Sequence, residues 1–377
     1  MYFKKWPFTL VAEEHPDIWA ERHSLLSQMK SLFEDLERMD NSFVQIMWGY
    51  LGSGKTHTLK YFQYSLENKD GAIVEFTRFP VQARNFYELY RDGFVQSLNF
   101  PKFVKKCAEI WKGLLVEKGE EEAFAWILRE IAHESYDFAQ VVCNLAKLWS
   151  ISPKEALRHH SFNLSRMWLQ GAKLGMADMR EIGLIKNIKN DEDAILALGG
   201  IMRLLTCEDK GNSLSNVWML DDSQKLLERQ AIQHGLRRAI DECPRRLLVL
   251  LSFAMTDPGK VRLGLIDELA KVCAPSLLEL PPMNGDEACE YIVDIINHVD
   301  FKKEGTNKVY PYTEESISEI VAQMKAKRID LLPRNLNWCA SHLTKEAEKN
   351  SVDHITPKHV TDFFRDKCKP GCPILNE

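Results

Sequence analysis

The segment GYLGSGKT at residues 49–56 decides how this chain folds. It follows SFVQIMW at 42–48, which is short, apolar and rich in strand-forming residues, and it precedes HTLKYFQYSLEN at 57–68, a helix-like run. A short apolar run that ends at a glycine is typical of a buried parallel strand. Strand, glycine-rich loop and helix are together the context in which this pattern forms a phosphate-binding loop.

The residue types of the loop suit a nucleoside triphosphate. Glycines allow backbone amides to turn inward around phosphates without a Cβ clash. Lys55 supplies a positive charge for the β- and γ-phosphates, and Thr56 supplies a hydroxyl for magnesium. The following helix adds its positive N-terminal end. The loop therefore predicts binding of ATP with Mg²⁺ by Gly49, Gly52, Ser53, Gly54, Lys55, Thr56 and His57.

A second strand should carry the acidic residues that such a site requires. The best candidate is SNVWMLDD at 215–222, where four apolar residues run directly into Asp221 and Asp222. We expect Asp221 to support the metal and Asp222 to polarise the attacking water. The alternative is a buried strand that ends in a solvated acidic turn.

Another apolar run, RLLVLLS at 246–252, ends in Ser252. In P-loop ATPases that insert a strand between the loop strand and the acidic strand, a polar residue at the end of the inserted strand touches the γ-phosphate or the water. Ser252 is our candidate for that residue. A serine that merely ends a strand is the alternative.

Composition excludes several classes of protein. The 377 residues are 45% hydrophobic and 27% charged, which is close to the average for soluble globular proteins. Apolar runs such as 247–251 are far shorter than the roughly 20 residues of a membrane helix. The N-terminus lacks a sustained apolar core, so we expect a cytoplasmic protein without a signal peptide or membrane contact. A net charge of −5 does not indicate a basic nucleic-acid surface.

Nine cysteines are scattered along the chain. Reduced, buried thiols are the expectation for a cytoplasmic protein. Cys368 and Cys372 could chelate a metal or form a disulfide, but no second pair follows, which argues against zinc.

Taken in this order, the motifs resemble those of AAA+ ATPases, particularly the branch of origin-recognition initiators and the transposition-regulator ATPases of mobile elements. Pro7-Phe8 followed by IWAERHSLLSQMKSLFEDL at 18–36 is similar to the segment that precedes the P-loop in that branch. LLPRNLNWCASHL at 331–343 is similar to its lid helix. The resemblance implies that Arg22 starts a helix closing over the adenine and that Arg334 reaches back to the γ-phosphate.

The resemblance also implies the architecture. We expect an α/β P-loop NTPase of AAA+ type, with a parallel five-stranded sheet, helices on both faces, a long helical insertion and a C-terminal helical lid. The ATPase domain would span 1–283, with the insertion at about 81–213, and the lid and a short tail would span 284–377. Plausible N-caps of lid helices are Asn284, Thr313 and Thr356.

Three departures from the AAA+ pattern affect function. The Asp-Asp pair is also common in the signalling switches called STAND ATPases, and it suggests slow or partner-stimulated turnover. Only Arg262 and Lys271 lie near the expected place of an arginine finger acting in trans. About 30 residues follow position 345, so we expect no winged-helix DNA-binding domain after the lid.

The interval 80–214 is much longer than in a typical AAA+ core. Apolar residues recur there at helical spacing in three stretches, 120–135, 136–149 and 152–175. Because its charged residues form no motif, we expect this insertion to contact a protein partner.

Three functions remain open from the sequence. The first is an ATP-dependent homo-oligomer that acts on DNA, of mobile-element or phage-defence type. The second is a STAND-like signalling or scaffold ATPase that acts through a protein partner. The third is a P-loop adaptor that uses ATP structurally.

Overall fold

The computed structural model describes residues 2–11, 14–39, 41–67, 72–207, 215–243 and 245–368. These residues form two compact units. The first unit comprises the described residues of Met1–Met29, Trp48–Ser65 and Leu278–Glu377. The second unit comprises the described residues of Lys30–Met47 and Leu66–Leu277.

Five strands form one sheet in the order β2-β3-β4-β1-β5. The pairings of β3 with β2 and with β4 are parallel, and their registers run from Ala72 opposite Ser215 and from Asn216 opposite Leu247. The predicted five-stranded α/β sheet is confirmed, and β4 lies between the loop strand β1 and the acidic strand β3. The strands are β1 (Phe43–Gly49), β2 (Ala72–Arg78), β3 (Ser215–Asp221), β4 (Leu247–Ala254) and β5 (Leu278–Leu280).

Two long helices follow the N-terminal segment and the glycine-rich loop. They are α1 (His23–Met39) and α2 (Lys55–Glu67). Helices of the predicted insertion, together with π-helical turns at Tyr90–Phe94 and Ile127–Ile131, belong to the second unit. The helices are α3 (Phe86–Leu89), α4 (Val95–Ser97), α5 (Phe100–Lys118), α6 (Glu120–Trp126), α7 (Tyr136–Ile151), α8 (Pro153–Ala156), α9 (His160–Leu169), α10 (Met176–Glu181) and α11 (Asp191–Thr206).

The insertion is more broken than its apolar spacing predicts. The expected helix at 152–175 is instead α8 and α9, separated by an extended His159. The Asn163 amide donates to the carbonyl oxygens of Leu157 and His159, which stabilises the break. The stretch 120–135 is α6 followed by a π-helical turn. The helical character of the insertion was predictable, but these interruptions were not.

Three short helical segments and one longer helix follow β3 and β4. They are a 3₁₀ helix at Ser223–Glu228, α12 (Gln230–Asp241), α13 (Pro258–Gly264) and α14 (Asp267–Ala270).

The first unit has its own apolar core. Four helices contribute to it, and the N-terminal residues Tyr2, Phe3, Phe8 and Ile18 pack into it. The predicted caps are confirmed: Asn284, Thr313 and Thr356 each form a reciprocal capping box. The helices are α15 (Gly285–Asn297), α16 (Glu314–Ala326), α17 (Pro333–Lys349) and α18 (Pro357–Asp366).

Five of the eight described cysteines are buried. Cys368 is one of the buried five, whereas Cys372 lies outside the described residues. None of the helices within the described ranges is long and apolar enough to cross a membrane.

Candidate functional site

The glycine-rich loop between β1 and α2 lies within the first unit. Gly52 and Gly54 have φ of +81° and +94°, a left-handed conformation that residues with a Cβ rarely adopt. At Gly49 a Cβ would lie only 2.7 Å from the Leu280 carbonyl oxygen. Glycine is therefore required at all three positions, at two by backbone angle and at one by space.

Lys55 begins α2 and is buried. Its Nζ donates to the carbonyl oxygens of Gly49 at 3.0 Å and Tyr50 at 2.7 Å. The ammonium thus lies over the loop itself. A phosphate that enters the loop would compete with these two carbonyl oxygens for the Lys55 ammonium. Because the phosphate is charged and the carbonyls are neutral, its hydrogen bond to the ammonium would be the stronger one.

Arg22 immediately precedes α1, and its guanidinium joins two backbone segments of the first unit. Nη1 donates to the Ser53 carbonyl oxygen at 2.9 Å, and Nη2 donates to the Pro281 carbonyl oxygen at 2.8 Å. Burial lowers the pKa of this guanidinium. An arginine nevertheless stays protonated in proteins, so Arg22 places a positive charge beside the loop.

Arg334 lies in the first turn of α17, directly against the loop. Its backbone N–H donates to the Gly52 carbonyl oxygen at 3.3 Å, and a Cβ at Gly52 would come within 2.9 Å of the Arg334 Cβ. The structure therefore brings Arg22, Arg334 and the glycine-rich loop together within the first unit.

His57, in the first turn of α2, is tied to the N-terminal segment. Its Nε2 lies 3.2 Å from the carbonyl oxygen of His15. A carbonyl can only accept, so Nε2 carries the proton. Burial lowers the pKa of His57, which favours the neutral ring with Nδ1 as an acceptor.

In the second unit, the acidic strand and its neighbour place two polar side chains together. Asp221 and Ser252 are both buried, and the Ser252 Oγ donates to Asp221 Oδ1 at 2.8 Å. The parallel pairing of β3 with β4 explains the contact, because Leu220 lies opposite Leu251 one residue earlier. The strand does not end at Ser252 as the sequence suggested, because β4 continues to Ala254.

Asp222 differs from its neighbour in both conformation and exposure. It has φ of +57° and precedes the 3₁₀ helix, and its side chain is exposed. A non-glycine residue with positive φ is uncommon, and Asp tolerates it better than most residues. The sharp turn directs the two successive carboxylates into different surroundings.

The two candidates for an arginine finger, Arg262 and Lys271, differ in their surroundings. The exposed Arg262 uses Nη2 to donate to the Pro275 carbonyl oxygen at 2.6 Å within the second unit. Lys271 is exposed at the end of α14.

Sequence reasoning overlooked three contributors to the loop's surroundings. Pro281 and His15 act through backbone carbonyls, which leave no mark in a side-chain pattern. Trp19 lies against Tyr61 of α2, with ring centroids 4.9 Å apart. In the sequence, Trp19 could be noticed only as an aromatic residue three positions before Arg22.

We compared the sequence and the structure with those of known proteins. No protein-family model matches the sequence, and no curated protein matches it. Solved structures do match. The Aeropyrum pernix ORC2 protein in its ADPNP–ADP complexes superposes with a TM-score of 0.53 and 13% identity over 96% of this chain and 71% of that chain.

Two further structures extend this likeness. Drosophila ORC bound to DNA gives a TM-score of 0.50 and 10% identity over 98% of this chain and 65% of that chain. The Aeropyrum pernix ORC1 protein in complex with DNA gives a TM-score of 0.50 and 13% identity over 96% of this chain and 68% of that chain. The chain thus spans about two thirds of the length of these proteins.

The fold and the loop together define the class: the chain has the AAA+ P-loop ATPase fold, related to that of origin-recognition proteins. The fold and the resemblance predicted from the sequence are confirmed.

Proposed function

We propose that this protein binds ATP with Mg²⁺ at residues 49–56 and hydrolyses it to switch a macromolecular assembly. The glycine-rich loop is the observation that carries the proposal. Gly52 and Gly54 are in the left-handed conformation, and the N–H of Gly54 has no partner among the described residues. Backbone N–H groups left available in such a glycine-rich loop can bind phosphate oxygens.

Each residue of the site has a proposed role. Lys55 neutralises the β- and γ-phosphates, and the hydroxyl of Thr56 completes the magnesium shell. Asp221 supports the metal, and Asp222 polarises the attacking water. Ser252 and Arg334 sense the γ-phosphate, and His57 contributes to nucleotide binding beside the loop residues Gly49, Gly52 and Ser53. Arg22, which the resemblance assigns to the adenine side, donates to the Ser53 carbonyl oxygen of that loop.

The donor chemistry suits magnesium rather than a softer metal. Mg²⁺ is held by one or two carboxylates with substrate phosphates and water, not by a dedicated protein cage. Within the described residues, no group of three or more His, Cys, Asp or Glu side chains converges to hold a metal. Bound magnesium would supply charge neutralisation for the transferred phosphoryl group.

The finer proposal is a DNA-associated homo-oligomer in a mobile-element or defence system. It is supported by the fold shared with origin-recognition proteins solved on DNA. We propose the domains as 1–283 and 284–377, with the helical insertion at about 81–213 available to a protein partner. A cytoplasmic location accompanies this proposal.

One observation favours the second candidate, a STAND-like switch that acts through a protein partner. Arg262, one of the two candidates for an arginine finger, already donates to the Pro275 carbonyl oxygen. An arginine engaged in this way is less available to a neighbouring subunit's nucleotide. The exposed Lys271 keeps the first candidate open.

Light scattering with MgATP, with and without duplex DNA, tests the choice. The DNA-associated proposal predicts an ATP-dependent oligomer whose DNA affinity falls steeply with salt. ATP-dependent oligomers that ignore DNA would favour the STAND-like switch. A monomer that retains nucleotide without turnover would favour a structural use of ATP, and absence of nucleotide binding would overturn all three.

A further inference from the structure

Two successive residues before α1 hold an unfavourable backbone conformation. Glu21 has φ of +50° and Arg22 has φ of +53°. For residues with a Cβ this conformation is unfavourable, so surrounding contacts must hold it. The Glu21 N–H donates to Asp294 Oδ2 at 3.0 Å, and the Arg22 guanidinium donates to Ser53 and Pro281.

We propose that Arg22 is a positioning residue that orients the Ser53–Gly54 peptide for phosphate binding, rather than a contact to the adenine. This inference rests on the proposed ATP site. A peptide group is planar and trans, so its C=O and N–H point in opposite directions. Because Arg22 Nη1 holds the Ser53 carbonyl oxygen at 2.9 Å, the N–H of Gly54 points away from Arg22.

The neighbouring peptide is held in a related way. The Gly52 carbonyl oxygen accepts from the Arg334 N–H, and the N–H of the same peptide, that of Ser53, donates to Tyr50 at 3.1 Å. Two successive loop carbonyls are therefore engaged by donors from outside the loop. Of the two corresponding N–H groups, that of Ser53 closes a turn and that of Gly54 is left to bind a ligand.

An arginine suits this role better than a lysine. Its planar guanidinium presents several donors in a fixed geometry, so it can hold Ser53 and Pro281 at once. Pro281 directly follows β5, and α15 begins four residues later. Arg22 thereby joins the phosphate loop to the segment that leads into the helices of the same unit.

A base-free ligand separates positioning of the loop from contact with adenine. The dissociation constants of MgATP and of magnesium tripolyphosphate are measured for wild type, Arg22→Gln and Arg22→Lys. Arg38→Gln, at an exposed arginine of α1, is the matched control. Arg22→Gln removes a charge-assisted hydrogen bond. We therefore expect it to weaken the binding of both ligands by the same factor of about ten.

Arg22→Lys keeps the charge but only one of the two bonds, and we expect an intermediate loss for both ligands. If Arg22→Gln lowers the unfolding midpoint, the two dissociation constants of Arg22→Lys are compared with those of wild type instead. Weakened ATP binding with unchanged tripolyphosphate binding would mean that Arg22 contacts the nucleoside, and the positioning role would be wrong. Unchanged binding of both ligands would also overturn it.

Lys55→Ala distinguishes failure of this inference from failure of the proposed function. If Lys55→Ala abolishes binding of both ligands while Arg22→Gln has no effect, only the positioning role is wrong. If Lys55→Ala binds ATP as wild type does, the phosphate site itself is wrong, and the role of Arg22 fails with it.

Discussion

Ser252 donates a 2.8 Å hydrogen bond to Asp221, and both side chains are buried. The register of β3 against β4 places the Ser252 hydroxyl beside the Asp221 carboxylate, which ends β3. A buried carboxylate is expensive to leave short of donors. Ser252 therefore fixes the orientation of the carboxylate that we propose supports magnesium.

Replacing Ser252 by alanine should affect turnover more than ATP binding. Without the hydroxyl, Asp221 loses a donor that orients it, and we expect the rate of phosphate release to fall about tenfold while the ATP dissociation constant changes little. Ser223→Ala is the matched control, because Ser223 is equally buried but donates to the Leu220 carbonyl. Equal rate losses in the two variants would contradict a specific role for Ser252.

Asp222→Asn should bind ATP and fail to hydrolyse it. Asparagine tolerates the left-handed backbone at φ +57°, so the unfolding free energy should change by less than about 0.5 kcal/mol. Loss of the carboxylate should slow phosphate release by about a hundredfold or more if Asp222 polarises water. Asp267→Asn, at an exposed position of α14, controls for the change of charge. Hydrolysis by Asp222→Asn at the wild-type rate would exclude this role.

Alanine at Gly52 should weaken both the fold and the site. The left-handed backbone strains any side chain there, and the added Cβ would lie 2.9 Å from the Arg334 Cβ. We expect a loss of at least about 1 kcal/mol in unfolding free energy, together with weaker ATP binding.

Gly113 provides the matched control for that substitution. It lies within α5, and a Cβ there would meet nothing within 4 Å. Gly113→Ala should therefore stabilise the protein by up to about 1 kcal/mol and leave ATP affinity unchanged. Chemical denaturation of both variants measures the unfolding free energy, and calorimetry measures ATP affinity. If Gly52→Ala changes neither quantity, the loop can relax around the added Cβ and the expectation is wrong.

Glu75 should make stability depend on pH. Its carboxyl is buried on β2, where Oε1 accepts from the Asn99 N–H at 2.8 Å. Burial raises the pKa of Glu75 from 4.5 to about 8, with smaller effects from Asn99, Glu67 and Lys102. The folded protein therefore holds an extra proton between these pH values.

The sign of the dependence follows from that proton. The stabilisation is fully present below pH 4.5 and is lost as the pH rises through about 8. Glu75→Gln should match wild type near pH 5 and exceed it at pH 9 by on the order of 3 kcal/mol in unfolding free energy. Urea denaturation at both pH values, with the exposed Glu117→Gln as control, checks this; a pH-independent difference would contradict a raised pKa.

The loop and its flanking strands were predictable because their signals are local. A glycine pattern between an apolar strand and a helix specifies both the backbone conformation and the chemistry at 49–56. Asp221 was predictable as the polar end of a buried strand, and Ser252 as a polar residue of the next one, although that strand continues to Ala254. Their mutual hydrogen bond depends on strand register, which the sequence does not state.

The surroundings of the loop were less predictable. Arg22 was implied by resemblance, but its partners are the carbonyl oxygens of Ser53 and Pro281, and every residue has a carbonyl. The break between α8 and α9 likewise depends on the Asn163 side chain bonding nearby carbonyls. Apolar spacing cannot report such contacts.

Calorimetric titration of MgATP into wild type, Lys55→Ala and Lys60→Ala tests the central claim most directly. Lys60 lies on the same α2 and donates to Gln63, so it controls for loss of a lysine from that helix. A phosphate site at residues 49–56 predicts saturable binding to wild type and Lys60→Ala and no measurable binding to Lys55→Ala. Equal binding by all three proteins would contradict it.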